Sequence, residues 1–255
     1  MRAVPALPGV SVCFPAYNEE PTIARILEEA QALLSRSGLD YEIIVCDDGS
    51  TDRTGAIVDG IAARYPHIRA LHHPANLGIR ETFERLYHEA IKDFVFLNST
   101  DEQWNTAVLL ELLPATPDWD VIIAARRDKH YRPVRSLVSW GFNALPALLF
   151  GLRTRDAGAV KLVRREIIQR FTLVSRSPFS EAERLVRAAR AGYRITERPT
   201  ETRPRGQGRS HGVSLRLVAG ALLDVGRVWR ALRREARAER AVPKPVAGTS
   251  HANRR

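Results

Sequence analysis

Short apolar runs alternate with segments of helical periodicity through the first half of the chain. Five runs that end in polar turn residues predict strands at Val10–Phe14, Ile43–Cys46, Arg69–His72, Phe94–Leu97 and Val121–Ala125. Between them, apolar residues recur every three or four positions and predict helices at Thr22–Leu34, Asp52–Tyr65 and Ile79–Ala90. Strands that alternate with helices are typical of βαβ units. We therefore expect an α/β fold with a mostly parallel central sheet and helices on both faces.

The alternation weakens after about residue 126. Leu137–Leu152 has sixteen residues without a charge, fewer than the roughly 20 of a membrane span, and predicts a core helix or an interfacial one. Glu181–Ala191 predicts an amphipathic helix, and Arg194–Glu197 predicts a strand. Ser214–Arg240 predicts a long helix with an apolar seam at Leu215, Val218, Leu222, Val225, Trp229 and Leu232.

The net charge of +10 is confined to the C-terminal part of the 255-residue chain. Residues 203–255 contain 13 Lys and Arg against 3 Asp and Glu, whereas residues 1–202 contain 26 of each sign. A neutral body with a basic extension argues against a nucleic-acid-binding protein. We predict three units: a catalytic domain at 1–212, a basic amphipathic helix at 213–240 and a disordered tail at 241–255.

The two cysteines and the N-terminus predict a cytoplasmic location. Cys13 and Cys46 both lie in predicted buried strands, which favours reduced core thiols. The first residues lack the apolar segment of a signal peptide.

Polar, acid-rich clusters follow three of the predicted strands, at Pro15–Glu20, Asp47–Asp52 and Asn98–Gln103. The carboxyl ends of parallel strands meet at one edge of a sheet, where open α/β folds bind their ligands. Carboxylate and amide oxygens suit a nucleotide that is bound through Mg²⁺ or Mn²⁺. Neither GxGxxG nor GxxxxGK[ST] follows the first strand, which argues against a dinucleotide site or a P-loop.

These clusters resemble the opening motifs of a family 2 glycosyltransferase with a GT-A fold. The resemblance rests on Pro15–Glu20, on Ile43–Asp52 and on the Asn76-Leu77-Gly78 turn. Later segments resemble the dolichyl-phosphate mannosyltransferase-like branch, namely Asp156–Leu162, Glu181–Tyr193 and Arg203–Ser210. The resemblance covers about residues 9–212. It implies an inverting hexosyltransferase that moves a sugar from a GDP- or UDP-sugar to a polyprenyl phosphate.

The resemblance also implies roles for individual residues. Donor-binding residues are then Pro15, Tyr17, Glu19, Asp47, Asp48 and Asp101. The family's metal motif, Asp-x-Asp-x-Gln, falls on Ser99, Asp101 and Gln103 as ligands of Mg²⁺ or Mn²⁺. Catalytic residues are Asp101, Glu181, Arg203 and Arg209, with the two arginines on donor or lipid phosphates. Arg126 and Arg135 stand where relatives also use basic residues.

Two departures from the family pattern bear on the donor. Ser99 replaces a carboxylate and weakens the implied metal site, unless Asn98, Glu102 or a water compensates. After Asn76-Leu77-Gly78 relatives have small residues, whereas this chain has Arg80, Glu81 and Phe83, which changes the surroundings of the donor.

The sequence leaves the acceptor open. A lipid phosphate is anionic and needs little general-base help, whereas a soluble hydroxyl acceptor requires a base, for which Asp156 and Glu181 are candidates. A third hypothesis is a nucleotide-sugar-binding protein whose catalysis is weakened at Ser99. The basic C-terminal helix either docks on an anionic membrane, at the inner face of the cell membrane, or packs on the catalytic domain or a second subunit. The oligomeric state, including a homo-oligomer, is equally open.

Overall fold

A computed structural model describes residues 7–100, 104–127, 146–152, 154, 156–201 and 215–241. In these parts of the chain one seven-stranded sheet has the strand order β3-β2-β1-β4-β6-β5-β7. The strands are β1 (Val10–Ala16), β2 (Tyr41–Asp47), β3 (Ile68–His72), β4 (Phe94–Leu97), β5 (Val121–Arg126), β6 (Lys161–Arg164) and β7 (Ile195–Thr200). Neighbouring strands are parallel except where β6 runs antiparallel to β4 and to β5. The expected mostly parallel sheet is confirmed.

Helices cover both faces of this sheet. They are α1 (Ile23–Ser35), α2 (Thr54–Ala62), α3 (Ile79–Glu89), α4 (Val108–Leu112), α5 (146–150), α6 (Arg165–Arg170), α7 (Ser180–Arg190) and α8 (Leu215–Ala241). The helices α1 and α2 connect strands that step outward from β1, whereas α3 returns the chain across the sheet to β4. Since such crossovers are right-handed, α3 lies on the face opposite α1 and α2. The packing agrees, because α1 contacts α2 and α3 contacts α6.

The core follows from continuous apolar runs in strands that are covered on both faces. Every residue of β1 and β2 is buried. Cys13 and Cys46 are buried free thiols in these two strands, as predicted. Burial raises the pKa of the Cys46 thiol to about 11 and raises that of Cys13 further, so both are inert at neutral pH.

The helices α4 and α6 and the strand β6 were not predicted from the sequence. Of the predicted helix Leu137–Leu152, the described residues 146–150 are helical, and 137–145 lie outside the described residues. Within the parts of the chain that the structure describes, no helix combines the length and the apolar character needed to cross a membrane.

The long C-terminal helix is present, but its predicted apolar seam is divided between two faces. Val225, Val228 and Leu232 are buried, whereas Leu222 and Trp229 are exposed. Asp224 accepts hydrogen bonds from the N–H groups of Arg176 and Ser177, at 2.9 and 2.7 Å. Helix α8 therefore packs against α7 and the segment before it, and leaves a second apolar face uncovered. The predicted boundaries at 212 and 240 stay predictions.

Candidate active site

The register of the sheet sets the level at which each strand ends. Ala16 of β1 lies beside Asp47 of β2, and Asp47 lies beside His72 of β3. On the other side of β1, Cys13 lies beside Leu97, and the chain continues upward from there through residues 98–100. Because β2 and β4 leave β1 on opposite sides, the strand order reverses between β1 and β4. The crevice at this switch point is where doubly wound sheets bind ligands.

The segment after β1 is fastened to the segment after β2. Asn18 has a left-handed backbone (φ 53°), which asparagine tolerates better than most residues, and its side-chain oxygen accepts the N–H of Thr51 at 2.8 Å. The Asn18 N–H donates to the Ser50 hydroxyl at 2.9 Å, and the Glu19 N–H donates to the Thr54 hydroxyl at 2.8 Å. The acid-rich clusters that follow β1 and β2 therefore share one edge, as predicted, whereas Asp101 and Glu102 of the third cluster lie outside the described residues.

Asp47 is buried at this edge and is held in a fixed orientation. Its Oδ1 accepts the N–H of Ser50 at 3.1 Å and also contacts the Ser50 hydroxyl. Its Oδ2 lies 3.3 Å from Nδ1 of His72. Gly55 permits this approach, since a Cβ there would lie 2.8 Å from Asp47 Oδ2.

His72 connects Asp47 to the surface. Its Nε2 lies 2.9 Å from Asp59 Oδ1 on α2. Partial burial lowers the pKa of His72, but the hydrogen bonds and charges of Asp59 and Asp47 outweigh it and raise the pKa above its ordinary value. Protonation of His72 is therefore coupled to the carboxylate of Asp47.

Asp48 is also buried at the edge, but its carboxylate binds the turn that precedes α3. Oδ1 accepts the N–H of Leu77 at 2.9 Å and lies 2.7 Å from Nδ1 of His73, and Oδ2 accepts the N–H of Gly78 at 2.9 Å. Gly78 has a φ of 99°, which favours glycine. In the structure Asp48 therefore fixes the turn at 76–78 at this edge of the sheet.

Glu19 joins the loops on both sides of the crevice. Its Oε2 accepts the Thr22 hydroxyl at 3.0 Å, and its Oε1 lies 3.3 Å from the Thr100 hydroxyl. The same Thr100 hydroxyl lies 3.1 Å from the carbonyl oxygen of Pro15. Tyr17 is exposed beside them. The structure thus brings Pro15, Tyr17, Glu19 and Asp47 together around the end of β1.

The implied metal ligands are described only in part. Ser99 follows β4 at the crevice, and its N–H donates to Asn98 Oδ1 at 2.9 Å. Asp101 and Gln103 lie outside the described residues, and among the described ones no group of three or more His, Cys, Asp and Glu side chains is arranged to hold a metal ion. The hydroxyl of Ser99, the carboxylate of Asp101 and the amide oxygen of Gln103 are hard ligands that suit Mg²⁺ or Mn²⁺. This set has one carboxylate, whereas the family motif Asp-x-Asp-x-Gln has two.

Arg126 and Asp156 form a bidentate ion pair at the end of β5. Arg126 Nε lies 2.8 Å from Asp156 Oδ2, and its Nη2 lies 2.9 Å from Oδ1. The Arg126 guanidinium also lies 5.8 Å from the centre of the Trp104 ring. Asp156, one of the two candidate bases, is therefore engaged with a cation in this structure.

Glu181, the other candidate base, lies away from the edge. Its Oε2 accepts Lys161 Nζ at 2.9 Å and the Tyr87 hydroxyl at 3.0 Å, and its Oε1 lies 3.7 Å from Arg184 Nε. Because Leu162 pairs with Phe96, Lys161 lies beside Leu97, at the level of Cys13 rather than of Ala16. The structure does not bring Glu181 together with the residues around the end of β1.

The surroundings of Glu181 keep it ionised. Burial raises its pKa, but the charges of Lys161 and Arg184 and the hydrogen bonds from Lys161 and Tyr87 outweigh burial, so the pKa falls below its ordinary value. Arg184 is itself buried and bonds Glu84 of α3. The sequence analysis missed this cluster because Glu181 and Arg184 resemble the solvated face of an amphipathic helix, and their partners Lys161, Tyr87 and Glu84 lie on other elements. The only signal was the number of charges on α7.

Three arginines of the sequence analysis, Arg135, Arg203 and Arg209, lie outside the described residues, so their predicted roles stay predictions.

Comparison with known proteins identifies the class. The model of the Glycosyl transferase family 2 matches residues 11–181, which include the crevice and the cluster around Glu181. The chain therefore belongs to glycosyl transferase family 2.

Three curated relatives extend this result. The chain is 31% identical over 211 residues to Glycosyltransferase AglD of Haloferax volcanii, covering 77% of this chain and 33% of that protein. It is 30% identical over 215 residues to Dolichyl-phosphate beta-glucosyltransferase ALG5A of Trichomonas vaginalis, covering 77% and 66%. It is 28% identical over 163 residues to Undecaprenyl-phosphate 4-deoxy-4-formamido-L-arabinose transferase of Pectobacterium atrosepticum, covering 63% and 50%. The chain thus spans one third to about two thirds of these relatives.

A solved structure supports the fold. Glucosyl-3-phosphoglycerate synthase of Mycobacterium tuberculosis, crystallised with Mn²⁺, UDP-glucose and phosphoglyceric acid, superposes with a TM-score of 0.66 at 21% identity. The superposition covers 86% of this chain and 80% of that protein. The expected GT-A fold is confirmed by this likeness.

Proposed function

We propose that the chain transfers a sugar from a GDP- or UDP-sugar to a polyprenyl phosphate. The observation that carries this proposal is the crevice between β1 and β4, which is lined by loops within the segment that matches the family. Relatives of the chain are named for dolichyl-phosphate and undecaprenyl-phosphate. Those relatives supply the acceptor class, and the crevice supplies a site for the donor.

In this proposal the end of β1 binds the nucleoside. Pro15, Tyr17 and Glu19 line the pocket, and Asp47 accepts hydrogen bonds from the base. Support comes from the fixed carboxylate of Asp47, whose known partners are neutral N–H and O–H groups and one histidine ring. Asp48 contributes by holding the turn at 76–78 in position.

The diphosphate lies above the end of β4, where Ser99, Asp101 and Gln103 would hold Mg²⁺ or Mn²⁺. A cation bound there supplies positive charge that stabilises the leaving diphosphate. Arg203 and Arg209 bind phosphate oxygens of the donor or the lipid, since guanidinium groups bind phosphates through paired hydrogen bonds.

The reaction is a direct displacement with inversion. An oxygen of the lipid phosphate forms a bond to the anomeric carbon while the bond from that carbon to the diphosphate oxygen breaks, and the nucleoside diphosphate leaves. The attacking phosphate is already anionic, so alignment rather than a general base is required. Glu181, ionised and bound to Lys161, positions α7 in this scheme and does not contact the sugar.

Release of nucleoside diphosphate from a panel of GDP- and UDP-sugars, with Mn²⁺ or Mg²⁺ and with or without undecaprenyl phosphate in detergent, tests the proposal. We expect release with one donor class that requires the lipid and is lost in Asp101→Asn. The matched control is Asp118→Asn, which changes an exposed aspartate. If the chain binds a nucleotide but releases no nucleoside diphosphate with or without the lipid, the proposal is contradicted. If Ser99→Asp then restores release, the defect lies at Ser99.

A soluble acceptor is the second candidate, because the structurally similar glucosyl-3-phosphoglycerate synthase was crystallised with phosphoglyceric acid. A hydroxyl acceptor requires a base, and Asp156 would first have to leave Arg126. Release that is stimulated by phosphoglycerate and not by the lipid would favour this candidate.

The uncovered face of α8 supports contact with an anionic membrane. Leu222 and Leu223 are 56% and 62% exposed, and Trp229 is exposed beside Arg233, whose guanidinium lies 3.8 Å from its ring centre. Exposed arginines on the same helix, Arg230, Arg233, Arg234 and Arg237, add positive charge. Each basic residue near such a surface contributes about 1 kcal/mol.

Flotation with vesicles that contain anionic lipid tests this contact in the full chain. We expect Leu222→Glu with Leu223→Glu to reduce binding several-fold, because both apolar side chains leave the interface. The control is Ile91→Glu, which changes a residue of similar exposure, 58%, that precedes β4 and does not lie on α8. Equal flotation of both variants contradicts membrane docking through α8.

A further inference from the structure

One face of α3 bears a line of polar side chains that leads from the core to the donor edge. Arg80, Glu84 and Tyr87 are spaced at i, i+4 and i+7, so they lie above one another on the helix. Tyr87 donates to Glu181, and Glu84 accepts a hydrogen bond from Arg184. This face of α3 therefore faces α7 and the end of β4.

Arg80 lies at the level of the strand ends. Lower on α3, the carbonyl of Leu86 accepts a long contact from Cys13 Sγ at 3.8 Å. Six helical residues rise about 9 Å, and the three strand residues from Cys13 to Ala16 rise about 10 Å. Arg80 thus lies at the height of Ala16, on the side of α3 that faces the crevice.

The guanidinium of Arg80 has an unused donor. Its Nη1 bonds Glu81 at 2.7 Å, but its Nε is buried and makes no hydrogen bond to any residue that the structure describes. A buried N–H without an acceptor is unfavourable by about 1–3 kcal/mol. The Arg80 side chain as a whole is 26% exposed, so an anionic ligand in the crevice can reach the outer part of its guanidinium.

Charge at the crevice also favours such a contact. Glu19, Asp47 and Asp48 place carboxylates around the end of β1. Arg126 is paired with the buried Asp156, whereas the partner of Arg80, Glu81, is 42% exposed. A diphosphate that enters here requires positive charge, and Ser99 lowers the anionic ligand set available to a metal ion. Arg80 therefore stands where additional positive charge is needed.

We propose that Arg80 binds the diphosphate of the nucleotide donor through its guanidinium and supplies charge that compensates for Ser99. The inference rests on the proposed function. In this inference Arg80 is a donor-binding residue, and the group that it binds is the diphosphate of the nucleotide.

Calorimetric titration of the full chain with UDP, GDP and the matching nucleosides, with and without Mn²⁺, tests the inference. For the diphosphate that wild type binds, we expect Arg80→Gln to weaken affinity about tenfold or more, as loss of a charge-assisted hydrogen bond predicts. Affinity for the nucleoside should not change, and Arg80→Lys should restore part of the loss. The control is Arg25→Gln, which removes an exposed arginine on α1.

The outcomes separate the two proposals. If wild type binds neither diphosphate, the proposed function fails and the inference fails with it. If wild type binds a diphosphate and Arg80→Gln binds it equally well, the inference alone is overturned. A thermal melt of each variant identifies loss of folding. If Arg80→Gln does not fold, the affinity of Arg80→Lys for the diphosphate is compared with that of wild type, and equal affinity overturns the inference.

Discussion

Asp47 and Asp48 at the strand edge are buried about as deeply as Glu181 between α3 and α7, with 6%, 4% and 8% exposure, but their partners differ in charge. The two edge aspartates accept hydrogen bonds from backbone N–H groups, a hydroxyl and imidazole rings. Glu181 instead lies against Lys161 and Arg184.

This difference separates the two regions by function. Backbone N–H and hydroxyl donors orient a carboxylate without cancelling its charge, so the carboxylates at the edge keep negative charge that a cation or a hydrogen-bond donor of a ligand can use. The interior cluster contains Glu84, Glu181, Lys161 and Arg184 and neutralises itself. Substitutions in the cluster should therefore reduce stability, and substitution of Asp47 at the edge should reduce ligand binding.

The largest effect is expected from Lys161→Met. It leaves Glu181 buried without its ammonium partner, and breaking a buried ion pair lowers the free energy of unfolding by about 3–5 kcal/mol. Urea denaturation measures the loss. The control, Arg25→Gln, removes an exposed pair with Glu29 and should change stability by about 0.5 kcal/mol or less.

A second substitution sharpens this test. Combining Lys161→Met with Glu181→Leu removes both charges, so much of the lost stability should return. A single variant as stable as wild type would show that the cluster does not hold the fold together.

Asp224 is intermediate between the two regions, because it binds two backbone N–H groups and also Arg227 at 2.7 Å. Asp224→Ala leaves the N–H groups of Arg176 and Ser177 without their acceptor, and that of Ser177 is buried, so stability should fall by about 2–3 kcal/mol. Hydrogen exchange at these two amides should accelerate. Exchange that stays slow would mean that α8 is held by its apolar contacts alone. Glu235→Gln, at an exposed partner of Arg187, is the control.

The pH dependence of Asp224 provides a further check. Burial raises its pKa, but hydrogen bonds from Ser177 and Arg227 outweigh burial and lower it below 3.8. A lowered pKa in the folded state means that the stabilisation is present above the ordinary pKa and is lost as pH falls through the folded one. Wild type and Asp224→Ala should therefore converge in stability below about pH 4.

Asp47→Asn tests the edge. If Asp47 accepts a hydrogen bond from the base, the affinity for the preferred nucleoside diphosphate should fall about tenfold, while stability changes by less than about 1 kcal/mol. Asp48→Asn should show the reverse, because Asp48 binds the turn at 76–78. Titration and denaturation of both variants decide, and equal losses in both would remove the distinction between these neighbours.

The sequence was sufficient for the regular half of the fold and for the position of the edge. Continuous apolar runs produced the strands of the parallel half, and Phe94–Leu97 matches β4 residue for residue. The motifs after β1 and β2 indicated a common edge, and the register confirms it. Local pattern was enough there because β1, β2 and β4 are buried on both faces.

The remainder depends on contacts between distant residues. The strand β6 begins at a buried lysine, so no apolar alternation reveals it. Glu181 could not be assigned to the interior because its partner Lys161 is 20 residues away and Tyr87 is 94 residues away. The apolar seam of α8 divides because only one of its faces meets α7, which helical periodicity alone does not determine.

The smallest expected effect concerns His72, which links the edge to the surface. Its raised pKa in the folded state means that its stabilisation is fully present below the ordinary value of 6.5 and is lost as pH rises through the folded value. His72 is partly exposed, so solvent screening limits the effect to about 0.5 kcal/mol or less. The stability of wild type relative to His72→Gln should thus decline across this window. The control variant His88→Gln, at an exposed histidine, should show the same pH dependence of stability as wild type.

Nucleotide affinity should vary with pH in the same window, because Asp47 is shared between His72 and the proposed nucleoside pocket. If nucleotide affinity does not change with pH, and His72→Gln does not change it either, Asp47 is oriented by Ser50 alone.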